Sequence, residues 1–210
     1  MTLDSFLREQ GSKMAQPFAE ACFRAGISPN SLSVASLLFA ILAGFLFYFS
    51  RSLSHGLLLA AAMVAISSAL DGIDGTLARR VGATVRGDFL DHVFDRYADV
   101  FIAGGIIFGG YSSMEIGIFA LVGILLTSYL GTQAQAVNVG RYYGGVLGRA
   151  DRLAIIFSVT IVNWAYTREI GYGLYQMPLL GWMMAFIAVV SNFTAVQRFA
   201  SIWKKLPEKK

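Results

Sequence analysis

The sequence is short of charge and of cysteine. Only 14% of its 210 residues are Asp, Glu, Lys or Arg, against about 25% in a typical soluble domain. With so little charge and so much apolar content, neither a disordered chain nor an ordinary water-soluble domain fits. The single cysteine, Cys22, rules out an internal disulfide, so nothing points to an oxidising compartment. No histidine lies near Cys22 in sequence, and it reads as a small buried apolar residue rather than a catalytic thiol. No cleavable signal peptide is expected, because residues 1–27 carry acids and lack a continuous apolar core. There is no solenoid-type repeat and no second, water-soluble domain.

What is present is apolar. Hydrophobic residues make up 56% of the chain and aromatics 13%, and the length allows one domain of ordinary size. The net charge of +4 points to anionic lipid and cytoplasmic loops rather than to nucleic acid, given so greasy a background. We therefore expect an all-α integral membrane protein with six transmembrane helices and an N-terminal amphipathic interfacial helix. Residues 2–26 carry two short helices, the first with Leu3, Phe6 and Leu7 on one face and the second marked by Pro17, Phe18, Ala21 and Cys22. In Gly26-Ile-Ser-Pro-Asn-Ser-Leu-Ser33, Pro29 halts the preceding helix, and Asn30 or Ser31 can cap the next one.

Apolar runs then cover about residues 32–49, 57–77, 89–108, 116–136, 153–165 and 177–196. Each is near the roughly 20 residues that cross a bilayer core. Residues 138–152 form a polar loop with Arg141, Arg149 and Arg152, and a basic tail with Arg198, Lys204, Lys205, Lys209 and Lys210 ends the chain. Six spans put both termini on one side. With that side cytoplasmic, nearly every Lys and Arg is inside, and Arg51 and Arg168 alone are outside. The division expected is an interfacial segment at 1–27, a six-helix membrane domain at 28–203 and a basic tail at 204–210.

One stretch breaks the apolar pattern. Asp71-Gly-Ile-Asp74-Gly75-Thr-Leu-Ala78-Arg79 is followed by seven residues and then Gly87-Asp-Phe-Leu-Asp91-His-Val-Phe-Asp95. Asp71 and Asp74 are three apart and Asp91 and Asp95 four apart, so each pair shares a helix face. The simplest geometry is two helices joined by a short turn, with the acidic faces opposed. A lone carboxylate costs about 2.5–3.5 kcal/mol at mid-bilayer, and four together repel one another. Protons, arginines or metal ions could neutralise them. The arginines are too few and too spread to pair all four, so divalent cations with hard oxygen ligands, Mg²⁺ or Mn²⁺, fit best. Two such ions can hold a pyrophosphate. Gly75, Gly82 and Gly87 let a nucleotide approach helix backbone, and Arg79 is placed to reach a phosphate.

These positions resemble the signature of the CDP-alcohol phosphotransferase family, Asp-x-x-Asp-Gly-x-x-Ala-Arg, seven or eight residues, then Gly-x-x-x-Asp-x-x-x-Asp, met here with the shorter spacer. The Ser28-Pro29-Asn30 stretch is similar to the opening of the family's first span, with Ser33 in a Thr place. The resemblance implies that Asp71, Asp74, Asp91 and Asp95 ligate a metal pair. It implies a CDP site at Asp71, Gly75, Ala78, Arg79 and Gly87, with Asn30 and Ser33 beside it. Asp95 is implied as the base that takes the proton of an attacking hydroxyl. The implied reaction is transfer of a phosphatidyl-type group from CDP-diacylglycerol or CDP-archaeol to a polar alcohol, with release of CMP. A homodimer is implied as well.

The acceptor is read from other residues. Gly148-Arg149-Ala-Asp151-Arg152-Leu153, together with Asp95-Arg96-Tyr97-Ala98-Asp99 and Gln197-Arg198, resembles the branch of phosphatidylinositol-phosphate synthases and their archaeal ether-lipid counterparts. Arg149, Arg152 and Arg198 would then cradle an acceptor phosphate, unless they are ordinary positive-inside residues. The branch carries Lys-Ala-Arg-Ala-Glu at the end of its fourth span, where this chain has Gly131-Thr-Gln-Ala-Gln135. Arg141 could substitute. Inositol phosphate is the expected acceptor, with glycerol phosphate or serine as alternatives. Asp88 reads as tuning the nucleotide pocket, Asp99 as a partner for an arginine or polar group deeper in the bundle, and His92 as a packing residue off the Asp91–Asp95 face. Gly105 and Gly109 mark a close helix contact, within the bundle or across a dimer. An intramembrane prenyltransferase is disfavoured by the absence of Asn-Asp-x-x-Asp motifs. A cation or proton carrier is disfavoured because the acids cluster at one end.

Overall fold

Seven helices account for nearly all of the chain in the computed structural model, which describes residues 3–172 and 176–207, with side chains from residue 14 onward. They are α1 (Leu3–Arg24), α2 (Pro29–Phe49), α3 (Gly56–Val81), α4 (Val85–Phe108), α5 (Met114–Ala136), α6 (Arg149–Ala165) and α7 (Leu179–Trp203). Four helical segments, Pro29–Ser52, Gly56–Val81, Met114–Ala136 and Leu179–Trp203, are long and apolar enough to cross a membrane. α4 carries the acids, and α6 has only 17 residues.

The starts of these helices follow from local chemistry. Ser28, not Asn30 or Ser31, caps α2: its side chain accepts from Ser31 N at 3.2 Å, and Pro29 takes the first helical position, where a missing N–H costs nothing. Gly82 ends α3 with φ +98°, a conformation open to glycine, and Thr84 then caps α4 by accepting from Gly87 N at 3.0 Å. α6 begins earlier than the apolar pattern implies. Asp151 accepts from Gly148 N at 2.9 Å, so Arg149 and Arg152 belong to a helical first turn rather than to the loop. α1 is one helix and not two. It runs through Pro17, which forgoes a single backbone bond while Ala15 and Ala19 bury against the bundle. The side chains of Leu3, Phe6 and Leu7, and the tail residues Lys209 and Lys210, lie outside the described residues.

The remaining six helices form a closed ring in the order α3, α2, α4, α5, α7, α6, with α1 laid outside against α3 and α6. As expected, a short turn joins α3 and α4 and their acidic faces oppose each other. α3 and α4 do not pack chiefly on each other; both lean on α2, and their acidic ends face across a gap. The end of the ring near Phe47, Ile106, Tyr111 and Leu180 is filled by apolar side chains. The opposite end holds the acids and a cavity of about 440 Å³.

Glycines set the α2–α4 spacing. A Cβ on Gly105 would collide with Gly44 backbone, and one on Gly109 would come 2.6 Å from Phe47 O. The Gly105–Gly109 pair is therefore used within the bundle. Gly105→Leu is expected to lower stability by about 3 kcal/mol, the upper end for overpacking, because backbone cannot step aside. Thermal unfolding in detergent measures it, and an unchanged midpoint would contradict the close contact.

Candidate active site

α3 delivers Asp71 and Asp74, and α4 delivers Asp91 and Asp95, to the mouth of the ring. One carboxylate oxygen from each of Asp71, Asp74 and Asp91 lies within 4.8 Å of the others, and the same holds for ligand atoms of Asp91, His92 and Asp95. Asp91 belongs to both triplets. Asp74 is the most enclosed of the four, at 4% exposure, and Ser33 Oγ of α2 donates to its Oδ2 at 2.6 Å. Ser33 thus orients an acid rather than lining the cavity. Oxygen donors this dense suit a hard divalent cation.

One arginine pairs with part of the cluster, short of all four acids as expected. Arg149 Nη1 donates to Asp71 Oδ2 at 2.8 Å and lies 2.8 Å from Asp95 Oδ1. It reaches them because α6 starts at residue 149 and aims its first turn into the gap. One guanidinium spans only two of the four acids. Among the described residues no arginine or lysine comes within ion-pair distance of Asp74 or Asp91, so a deficit of positive charge remains that divalent ions fit.

The other arginines proposed for an acceptor also reach the cavity, each with a partner. Arg152, 2% exposed, donates from Nη2 to Asp99 Oδ2 at 2.9 Å. Arg198 donates to the carbonyls of Thr127 and Gly144, both at 2.7 Å, and ties α7 to α5 and the α5–α6 loop. Arg141, in that loop, binds both oxygens of Asp88 at 2.8 and 2.9 Å and packs over Tyr143. Partial burial works against its charge, but hydrogen bonds to Asp88 and Tyr143 outweigh this and hold its pKa above the ordinary arginine value.

Of the nucleotide residues read from sequence, Asp71, Gly75 and Arg79 line the cavity, while Ala78, Gly87, Asn30 and Ser33 do not. Gly87 and Asn30 are nonetheless neighbours, since a Cβ on Gly87 would lie 3.2 Å from Asn30 Oδ1. His92 does line the cavity. It is three residues from Asp95, and that spacing brings it onto the acidic face. Sequence reasoning missed Thr127, Ser128 and Thr132 of α5, and Tyr142 of the following loop, all in the wall. Hydroxyls recurring within an apolar helix were the available signal for the first three; no local pattern marks a loop tyrosine.

Comparisons with known proteins agree with this geometry. A family model described as CDP-alcohol phosphatidyltransferase matches residues 26–194. The archaetidylinositol phosphate synthase of Pyrococcus horikoshii is 31% identical over 159 residues, covering 75% of this chain and 79% of that one. The phosphatidylinositol phosphate synthase of Streptomyces avermitilis is 27% identical over 220 residues, with 98% and 84% covered. Among solved structures, the Mycobacterium tuberculosis phosphatidylinositol phosphate synthase with CDP-DAG bound superposes with a TM-score of 0.72 at 25% identity, over 91% of this chain and 94% of that one. The same enzyme in complex with manganese and citrate gives 0.73 at 25% identity, over 90% and 88%.

Proposed function

The chain belongs to the CDP-alcohol phosphatidyltransferase family, and on that premise we propose that its cavity transfers a phosphatidyl-type group from a CDP-linked lipid to inositol phosphate, releasing CMP. The observation that carries this reading is the meeting of two unlike half-sites in one 440 Å³ cavity. Acids of α3 and α4 form one wall, and arginines of α6 and α7 form another. Metal-bound diphosphate suits the first wall, and a phosphorylated alcohol suits the second.

Asp71, Asp74, Asp91 and Asp95 are the residues that would hold Mg²⁺ or Mn²⁺ as a pair of ions. Bound there, the ions supply charge neutralisation and a template for the diphosphate. Ser33 orients Asp74, and Gly75 and Arg79 receive the CDP phosphates beside it. Asp95 accepts the proton of the attacking hydroxyl. The alcohol oxygen forms its bond to the lipid-side phosphorus, the phosphoanhydride bond breaks, and CMP departs. Arg149 and Arg152 hold the acceptor's phosphate, with Arg198 and Arg141 behind them at the cavity wall. The donor is CDP-diacylglycerol or CDP-archaeol.

Six spans, α2 to α7, cross the bilayer in this reading. The outer faces of α4 and α6 carry exposed apolar side chains, such as Phe89, Phe101, Phe108 and Val162, that suit contact with lipid, and α1 lies in the interface. Positive residues on the cavity side support a cytoplasmic cavity, where a polar acceptor would arrive from water and the donor from lipid. A homodimer would use a face other than Gly105–Gly109, which is spent on α2.

A CMP-release screen tests the reaction. Purified protein with Mn²⁺ and CDP-diacylglycerol or CDP-archaeol is expected to release CMP with inositol phosphate and not without an alcohol. Release only with glycerol phosphate or serine would move the acceptor. Silence for every pair, with folded protein, would favour a carrier.

A further inference from the structure

Asp99 lies one turn beyond Asp95 on α4, outside the acidic motif. It is 5% exposed and does not itself line the cavity. Its two oxygens instead face two arginines that do. Oδ2 accepts from Arg152 Nη2 at 2.9 Å, and Oδ1 lies 3.7 Å from Arg149 Nε. Arg149 Nε is buried with no hydrogen-bond partner, so at that distance charge alone ties it to Asp99.

Arg149 and Arg152 are three apart, so two like charges share one face of the first turn of α6. The acid of that turn, Asp151, is turned back to cap the helix at Gly148 N. A buried ion pair is a weak source of stability, and well-packed apolar residues often serve a fold as well. Inside a membrane helix bundle it is also expensive, so its presence points to a task. The arrangement supplies one. Asp99 faces Arg149 at Nε and Arg152 at one terminal nitrogen, Nη2, while Arg149 Nη1 spans Asp71 and Asp95, and both arginines line the cavity. Two planar donors held at a set separation match the oxygens of a phosphate monoester.

We propose that Asp99 is a positioning residue for the acceptor: it fixes Arg149 and Arg152 as a pair that grips the phosphate of a phosphorylated alcohol. This rests on the reading of those arginines as the acceptor site. When Asp71 and Asp95 are occupied with the donor side of the reaction, Asp99 is the carboxylate left to both arginines. It therefore governs acceptor affinity and leaves donor affinity alone.

The test uses the full chain in lipid nanodiscs with Mn²⁺, CDP-diacylglycerol and inositol phosphate. Asp99→Asn is expected to raise KM for inositol phosphate by about ten- to a hundredfold, the loss typical of a charge-assisted hydrogen bond. KM for the CDP-lipid should stay within about twofold, since none of the donor's contacts change. Arg149→Gln is measured alongside. If it leaves the acceptor KM unchanged, the acceptor-site reading fails. If it raises that KM and Asp99→Asn does not, the positioning role fails while the reading stands. Equal loss of donor affinity, acceptor affinity and thermal stability in Asp99→Asn means a purely structural part and overturns the proposal. Should that variant not fold, Asp99→Glu decides: it keeps the charge but displaces it by one methylene, so acceptor KM should still rise with donor KM unmoved. Turnover with unphosphorylated alcohols alone also overturns it.

Discussion

Asp95→Asn is expected to lower kcat by about 10²–10⁴-fold, the usual contribution of a positioned general base, while leaving CDP-lipid binding largely intact. The substitution keeps the shape of the side chain and removes the negative charge that receives the proton. Asp71, Asp74 and Asp91 remain, and oxygens of these three already lie within 4.8 Å of one another, so the nucleotide seat survives. Asp95 is also one of the two acids paired with Arg149. Its loss frees that guanidinium toward Asp71 and the cavity, which should tighten acceptor binding slightly rather than weaken it. CMP release in single turnover and CDP-lipid binding, measured on the same preparation, check the claim. Equal loss of turnover and binding would show that Asp95 is needed to hold the donor and not to move a proton.

Mn²⁺ added to chelator-stripped protein is expected to stabilise it by about 2.7 kcal/mol at a hundredfold excess over the dissociation constant. Before addition, chelated protein should release no CMP. The stabilisation comes from the charge imbalance at the ring mouth, where Arg149 reaches Asp71 and Asp95 but Asp74 and Asp91 have no cation within ion-pair distance among the described residues. Asp91 is the informative position because it belongs to both close triplets. Asp91→Asn should therefore abolish the Mn²⁺-dependent rise and turnover together, with the metal-free midpoint no lower than wild type, since one repelling charge is gone. A rise of the same size in the variant would place the ions elsewhere.

Much of the helical architecture is legible in the residues alone. Six apolar runs correspond to α2 through α7, and the flanking Ser, Thr, Gly and Pro mark their ends by local hydrogen bonding. The differences fall where local signals compete. Pro17 suggests two helices, yet tertiary burial of Ala15 and Ala19 carries α1 across it. Arg149 and Arg152 resemble loop residues because they are polar, yet Asp151 closes a helical turn around them. His92 reads as facing away from the acids, because the Asp91–Asp95 pair defines a narrower face than the helix presents.

The residues themselves determined that this is a membrane-embedded helical bundle with two pairs of carboxylates suited to divalent ions, because charge in so apolar a chain is tolerated only where it is used. Spacing along a helix also determined which acids share a face. Only the tertiary structure decided what those acids face. It closed the ring so that α3 and α4 lean on α2 with a gap between them, and it sent the first turn of α6 into that gap. Arg149 and Arg152 thereby meet Asp71, Asp95 and Asp99 across separations of 50 to 78 residues. No local pattern encodes such pairings, since they depend on how whole helices cross and on backbone approach at Gly44, Gly105 and Gly109.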